Sequence, residues 1–203
     1  DVKYQTFSSA YSSLYYLNET TDFEGNGSQY IFIGNDSTHE PCSLKSNLLL
    51  PAMKGEDEIQ LNIVDEDERV RTHYMSFLAT MKALGSYFDY LRENHVWDNT
   101  RIIVVSDHGF DFEVEDGLDL KATMVNPLLL YKDFNSNGRL TIDYTFMTNA
   151  DTLDLSKRGL DISNINPFTG EELKVEKDEV TIYTNGVYTV KDDIFSDSNW
   201  KLK

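Results

Sequence analysis

Apolar residues recur at positions 7, 10, 14 and 17 of an otherwise Ser- and Tyr-rich opening stretch. Steps of three and four place them on one side of a helix, so residues 1–17 are predicted as a short helix with one buried face. The polar run "NETTDFEGNGS" follows as a loop, and "QYIFIGND" (29–36) reads as a buried strand ending at Gly34. Beyond the loop "NDSTHEP" the chain is irregular through 42–64, with "GEDEIQ" an exposed turn. A long helix is predicted from Asp65, where "DEDER" sets acidic side chains against the positive end of the helix dipole. Val70, Phe77, Leu78, Met81, Leu84, Phe88 and Leu91 mark its apolar face.

"ENHVWDNT" ends that helix and leads into the apolar run 101–106. A helix feeding a short apolar strand is the unit from which parallel sheets are built. "NPLLLYKDF" (126–134) is a further strand, closed by the turn "NSNG". "TNADTLDLSKRGL" predicts a short helix with Asn149 or Asp151 near its start and Gly159 at its end. "NPFTGEEL" is another turn, and "EVTIYTNGVYTV" is a hairpin whose Asn185-Gly186 pair suits a type I′ turn. The expected class is α/β: a sheet with flanking helices and a C-terminal β-hairpin tail over about 176–192, in one domain spanning 1–203.

Composition narrows the functions open to such a chain. With 203 residues, 40% of them hydrophobic and 12% aromatic, it can bury a sizeable core. Its 18 basic against 35 acidic residues give a formal charge of −17. That excludes nucleic-acid binding, which needs a clustered cationic surface, and docking on an anionic membrane by charge alone. A single cysteine, Cys42, excludes an internal disulfide and a cysteine-cluster metal site. No apolar run approaches the ~18 residues that span a bilayer. No signal-peptide pattern opens the chain, and the abrupt start "DVKYQTFSSAYSS" leads us to expect a part of a longer polypeptide. The Asn-x-Ser/Thr triplets at Asn18, Asn26 and Asn35 are what a chain rich in these residues produces by coincidence.

The chemistry concentrates after two of the predicted strands. Residues 29–34 and 101–106 are each followed within a few positions by a histidine, His39 and His108. Ligands of open α/β sheets gather beyond the carboxyl ends of the strands. If the two strands run parallel, His39, Asp107 and His108 share one rim. A carboxylate beside a neutral imidazole suits Zn²⁺ or Mn²⁺ better than Ca²⁺ or Mg²⁺, which prefer oxygen alone. Gly109 would let the chain turn so that both side chains face that rim. The competing reading makes Asp107 a loop cap and His108 an ordinary polar residue, and two ligands alone are an incomplete site. His73 reads as a helix-surface residue, His95 as part of a helix-terminating turn, and Trp97 and Trp200 as packing residues. The acidic runs 56–58 and 65–68 lack the glycine-containing loop spacing of an EF-hand.

The stretch "LGSYFDYLRENHVWDNTRIIVVSDHGF" resembles the signature of the alkaline phosphatase and sulfatase superfamily: a helix, "DNT", an apolar strand and "SDHG". The members nearest in style are lipoteichoic acid synthases and phosphoethanolamine transferases. The resemblance implies that Asp107 and His108 bind the catalytic Mn²⁺ or Zn²⁺. "NDSTHEP" is similar to a family strand–loop junction, and implies that His39 contacts the phosphoryl group being transferred. "TNADTLDLSKRGLD" is similar to the family's "D-x-x-P-T-L…G" helix but lacks its proline. Ca²⁺-binding arylsulfatases generally carry Asp-Asn where this chain has Asp107-His108, which favours the phosphoryl-transfer branch over sulfate ester hydrolysis.

The likeness spans roughly residues 30–160, and the superfamily-like core is placed at about 29–160. The superfamily's nucleophilic Thr or Ser, and an early acidic metal ligand, have no counterpart here in the right context. The hydroxyls of Thr6, Ser8, Ser9, Ser12 and Ser13 follow no buried strand with a terminal acid. The expectation is therefore the C-terminal part of an alkaline-phosphatase-like catalytic domain carrying a partial sheet. Its parent would act on phosphoglycerol- or phosphoethanolamine-type esters of a lipid or glycan. The parent would be membrane-anchored through upstream segments, on the extracytoplasmic face of a bacterial envelope. The fragment alone is expected to be inactive, to need the upstream half of the polypeptide as partner, and to be able to self-associate. The alternative is a non-catalytic envelope-associated binding module that retains the fold.

Overall fold

The computed structural model describes residues 2–25, 27–39, 44, 52, 68–110, 122–172, 177–183 and 186–203. The readings made for Asn26, Cys42, "GEDEIQ", residues 65–67 and Asn185 lie outside the described residues. The chain forms two compact units, Asp1–Trp97 and Asp98–Lys203. Helices together with antiparallel sheets of two and three strands make it a mixed α/β chain, as its sequence predicts.

In the first unit, helix α1 (Val2–Tyr15) packs on helix α2 (Glu68–Glu93). Phe7, Tyr11 and Leu14 of α1 meet Met75, Ala79 and Ala83 of α2, with Leu44 completing the core and Leu17 and Leu84 against its edge. The expected face of α1 is present, with Tyr11 rather than Ala10 buried in it. On α2 the buried face differs from the one read from bulk. Ser76, Ala79, Thr80 and Ala83 are buried, while Val70, Phe77, Leu78, Met81, Leu84 and Phe88 are half-buried. The stacked rings of Phe7 and Tyr11, 5.6 Å apart, already fill the space, so the facing helix must offer small side chains.

The end of α2 is built as the sequence suggests. His95 takes the left-handed conformation at φ 59°, and its N–H donates to the Arg92 carbonyl while that of Val96 reaches the Leu91 carbonyl. This pair of bonds satisfies carbonyls that a helix end leaves open. Trp97 then packs against Phe88 and lies under the Arg92 guanidinium.

The strand expected at 29–36 does not form. Tyr30, Ile31, Phe32 and Ile33 are extended but enter no ladder, and are 81%, 65%, 84% and 48% exposed. An apolar run becomes a strand only when a neighbour pairs with its backbone, and among the described residues this one has none.

In the second unit, β1 (Ile102–Val105) pairs with β2 (Leu129–Lys132), Ile102 opposite Lys132 and Val105 opposite Leu129. The pairing is antiparallel, where the helix–strand unit before β1 suggested a parallel sheet. A parallel pair needs a strand delivered by a crossover, whereas β1 takes the next strand of the chain directly. Arg101 fixes the start of β1 from a nearly buried position, its side chain 8% exposed. It donates twice to the Asp133 carboxylate, at 3.0 and 2.6 Å, and to the carbonyls of Ser156 and Arg158. Burial pushes the Asp133 carboxyl up, but the Arg101 bonds and the Phe134 N–H outweigh it and hold the group below the usual aspartate range.

Helix α3 (Thr152–Lys157) follows a 3₁₀ turn, Asn149–Asp151, and Gly159 beyond it sits at φ 70° as a helix-ending glycine should. Asp151 is buried; it accepts from the Thr148 N–H and hydroxyl and pairs with Lys177. The predicted hairpin is β3 (Val180–Tyr183) with β4 (Val187–Val190). A short strand β5 (Trp200–Leu202), unmarked by any pattern, joins it on the other side. Trp200 packs as expected, edge-on to Tyr188, with its indole N–H on the Ile194 carbonyl. Among the described residues no helix is long and apolar enough to cross a membrane.

Candidate metal and phosphoryl site

Strand β1 ends in Ser106, Asp107, His108 and Gly109, and every bond around this turn holds its backbone in place. The Ser106 N–H donates to the Leu128 carbonyl, and the Leu128 N–H returns a 2.7 Å bond to the Ser106 hydroxyl. Asn149 donates through its amide to the carbonyls of both Ser106 and Asp107, each at 2.9 Å. The Gly109 N–H reaches the Met124 carbonyl at 2.8 Å. A Cβ on Gly109 would lie 1.8 Å from the Thr123 carbonyl oxygen and 2.8 Å from that of Asn126. Gly109 is not among the positive-φ glycines, so it is required for this close backbone approach and not for a left-handed turn.

The two ligand-type side chains stand clear of the core, with exposures of 87% for Asp107 and 49% for His108. One Asp107 oxygen caps the His108 N–H at 2.9 Å. His108 Nδ1 lies 2.7 Å from the Gly109 carbonyl oxygen. A carbonyl only accepts, so Nδ1 carries the proton and Nε2 presents a lone pair. That nitrogen is 3.7 Å from the other Asp107 oxygen. Ligand atoms sit at about 2.0–2.2 Å from Zn²⁺, so donors at this spacing can share one ion. Asp107 thus does cap the turn, as the competing reading held, and keeps its second oxygen for a ligand. Nitrogen and oxygen together fit Zn²⁺ or Mn²⁺. No group of three or more His, Cys, Asp or Glu side chains that could hold a metal occurs among the described residues, and the pair by itself would be two of the three or four ligands such an ion takes.

His39 belongs to the other compact unit, exposed at the end of a turn whose N–H bond runs to the Asp36 carbonyl at 3.0 Å. The structure brings Asp107 and His108 together within the second unit, and His39 is a residue of the first. Asn35, four residues earlier, donates through its amide to the Ala10 carbonyl and the Ser13 hydroxyl.

Asn149 and Asp151 stand near the start of the helix as expected, Asn149 opening the 3₁₀ turn and Asp151 directly before α3, but the Asn149 amide also serves the Asp-His turn, which the sequence did not signal. Nothing in "TNAD" distinguishes an asparagine that caps its own helix from one that reaches across to another segment. Asn149→Ala is expected to lower stability by ~1–2 kcal/mol, since two backbone carbonyls lose their donor. Urea unfolding of the two proteins checks this.

The sulfatase family model matches residues 3–152, a span that contains His39, Asp107, His108 and Asn149. No match was found among curated proteins or among solved structures. The matched span is about three quarters of the chain and reaches both the Asp-His turn and the helix that opens the first unit. The chain belongs to the sulfatase family, and with it to the alkaline phosphatase and sulfatase superfamily.

Proposed function

We propose that the chain is the C-terminal part of a metal-dependent enzyme that transfers or hydrolyses phosphoesters of the phosphoglycerol or phosphoethanolamine type. At the superfamily level, family membership supports a sulfatase-like hydrolase or transferase. The observation that carries the finer reading is the imidazole at position 108, whose Nε2 lone pair stands 3.7 Å from an Asp107 oxygen. Sulfatase-family domains are generally metal-dependent, and the Asp107–His108 pair fits Mn²⁺ or Zn²⁺ in donor type and spacing.

Asp107 and His108 would hold the ion, which supplies Lewis-acid stabilisation of the charge that develops on oxygen. The Gly109 carbonyl keeps the His108 proton on Nδ1, and Asn149 fixes the peptide from which both ligands project. His39 would donate a hydrogen bond to a non-bridging phosphoryl oxygen, or a proton to the leaving group. The nucleophile, a Thr or Ser, and the remaining ligand would come from an upstream part of the polypeptide. We place the parent on the extracytoplasmic face of a bacterial membrane, with a phosphoester-bearing lipid or glycan as substrate.

The test compares a generic phosphodiester with an aryl sulfate as substrates, each with Mn²⁺, Zn²⁺ or Ca²⁺, using the longer polypeptide and this 203-residue chain side by side. The longer polypeptide should turn over the phosphodiester with Mn²⁺ or Zn²⁺ at about ten times or more the rate with Ca²⁺, because imidazole suits the softer ions. The 203-residue chain alone should show no turnover. Preference for the sulfate ester or for Ca²⁺ would overturn the branch assignment. Silence of the longer polypeptide on both substrates would favour a binding module.

A further inference from the structure

His73 reads from sequence as a helix-surface residue, yet it is half-buried and its ring bonds the backbone of Thr38, the residue directly before His39. Two neighbours in the same loop are tied just as firmly. Ser37 is 1% exposed, and its hydroxyl lies 2.7 Å from that of Thr80 on α2. Thr80 gives its own proton to the Ser76 carbonyl, so Ser37 is the donor in that pair. The Ser37 N–H donates to the Asn35 side-chain carbonyl, and the Asn35 amide donates to α1 through Ala10 and Ser13. A polar loop with no secondary structure is thus held at three points, one on α1 and two on α2.

We propose that His73 is a positioning residue for His39, acting with Ser37 and Asn35 as a clamp that presents the His39 imidazole at the mouth of the loop; this rests on the reading of His39 as a phosphoryl contact. A side chain that must meet a developing charge is effective only when its backbone is fixed beforehand, because ordering it later costs the entropy that catalysis saves. Burial lowers the His73 pKa, against the opposing pull of the Thr38 carbonyl, so near pH 7 the ring is neutral and its one N–H serves the loop. The role is distinct from holding α1 on α2. The apolar core of Phe7, Tyr11, Leu14, Met75, Ala79 and Ala83 does that, whereas the Asn35, Ser37 and Thr38 bonds converge on the residues immediately preceding His39.

The test has two arms. In this chain, amide hydrogen exchange is followed for residues 35–39 in the parent sequence, His73→Leu and His73→Gln. His73→Leu should speed exchange of the Ser37, Thr38 and His39 amides about five- to tenfold, the loss of one hydrogen bond. Core amides of α1 and α2 should be unaffected, and the Gln amide should restore protection to within about twofold. Ser37→Ala should produce the same local pattern, which keeps the clamp testable if His73→Leu does not fold. Unchanged exchange at 37–39, or loss spread evenly through both helices, overturns the proposal.

In the longer polypeptide, His73→Leu should lower kcat about tenfold with little change in KM, and should add nothing in a His39→Ala background. Faster loop exchange with unaltered turnover would instead overturn the role of His39 while leaving the clamp in place.

Discussion

His108→Ala in the longer polypeptide is expected to remove metal-dependent turnover by about 100-fold or more while leaving the fold intact. Loss of an outer partner of a metal ligand already costs 10–100-fold in such sites, so loss of the ligand itself should cost at least as much. Stability is a separate matter, because the ring is half exposed and its one side-chain hydrogen bond runs to the Gly109 carbonyl, which water can replace. The expected change in unfolding free energy is within about 0.5 kcal/mol, the range of ordinary surface substitutions. Initial rates across a Mn²⁺ or Zn²⁺ titration, with a thermal melt of the same sample, separate the two effects. A variant that responds to added metal as the unaltered protein does would show that His108 is no ligand.

Gly109→Ala should behave in the opposite way and unsettle the structure first. The added Cβ would stand 1.8 Å from the Thr123 oxygen, and real Cβ atoms essentially never approach closer than 3.0 Å. The obstacle is backbone, with the Asn126 carbonyl behind it, so no rotamer change relieves the overlap. Either the turn or segment 122–126 must move, and the bond from the Gly109 N–H to Met124 is lost with that movement. A cost of ~3 kcal/mol or more is expected, at the upper end of what one added methyl exacts. Denaturant unfolding of the second unit measures it. An unchanged midpoint would mean that the approach of Thr123 to Gly109 is not a fixed feature of the fold.

These two residues also show what was legible in the sequence. The place of Asp107, His108 and Gly109 at the end of β1 was legible because the apolar run before them set the strand's end. That Asp107 also caps the turn was the competing reading. The reason for the glycine was not legible, since a close approach depends on a segment fourteen residues away and leaves no local trace. Helix α2 shows a second limit. Periodicity located the helix but chose its bulky stripe as the core face, when the partner helix required the Ala and Ser face. The run Tyr30–Ile33 shows a third. Its residues favour a strand, but a ladder is a property of two segments, and propensity speaks for one. His39 was singled out by its place after the apolar run 29–34 and by resemblance, whereas the contacts at its loop came from Asn35, Ser37 and His73, each of which has a commoner reading in isolation.

Arg101 bears on how this region tolerates change. Its one guanidinium closes four hydrogen bonds to two separate segments: the acid after β2 and two carbonyls at the end of α3. A lysine would keep the charge but could not hold a planar fork across the Asp133 oxygen and both carbonyls. The face of the Phe134 ring, 4.4 Å from the guanidinium carbon, suits the same flat cation. The position just before β1 is thus closed to ordinary drift, although it lies four residues before the strand's end and bonds to neither Asp107 nor His108. A variant library sampled at 101 would read as if the position were chemical, when its constraint is architectural: one residue that cannot vary lets the two segments it ties vary more freely.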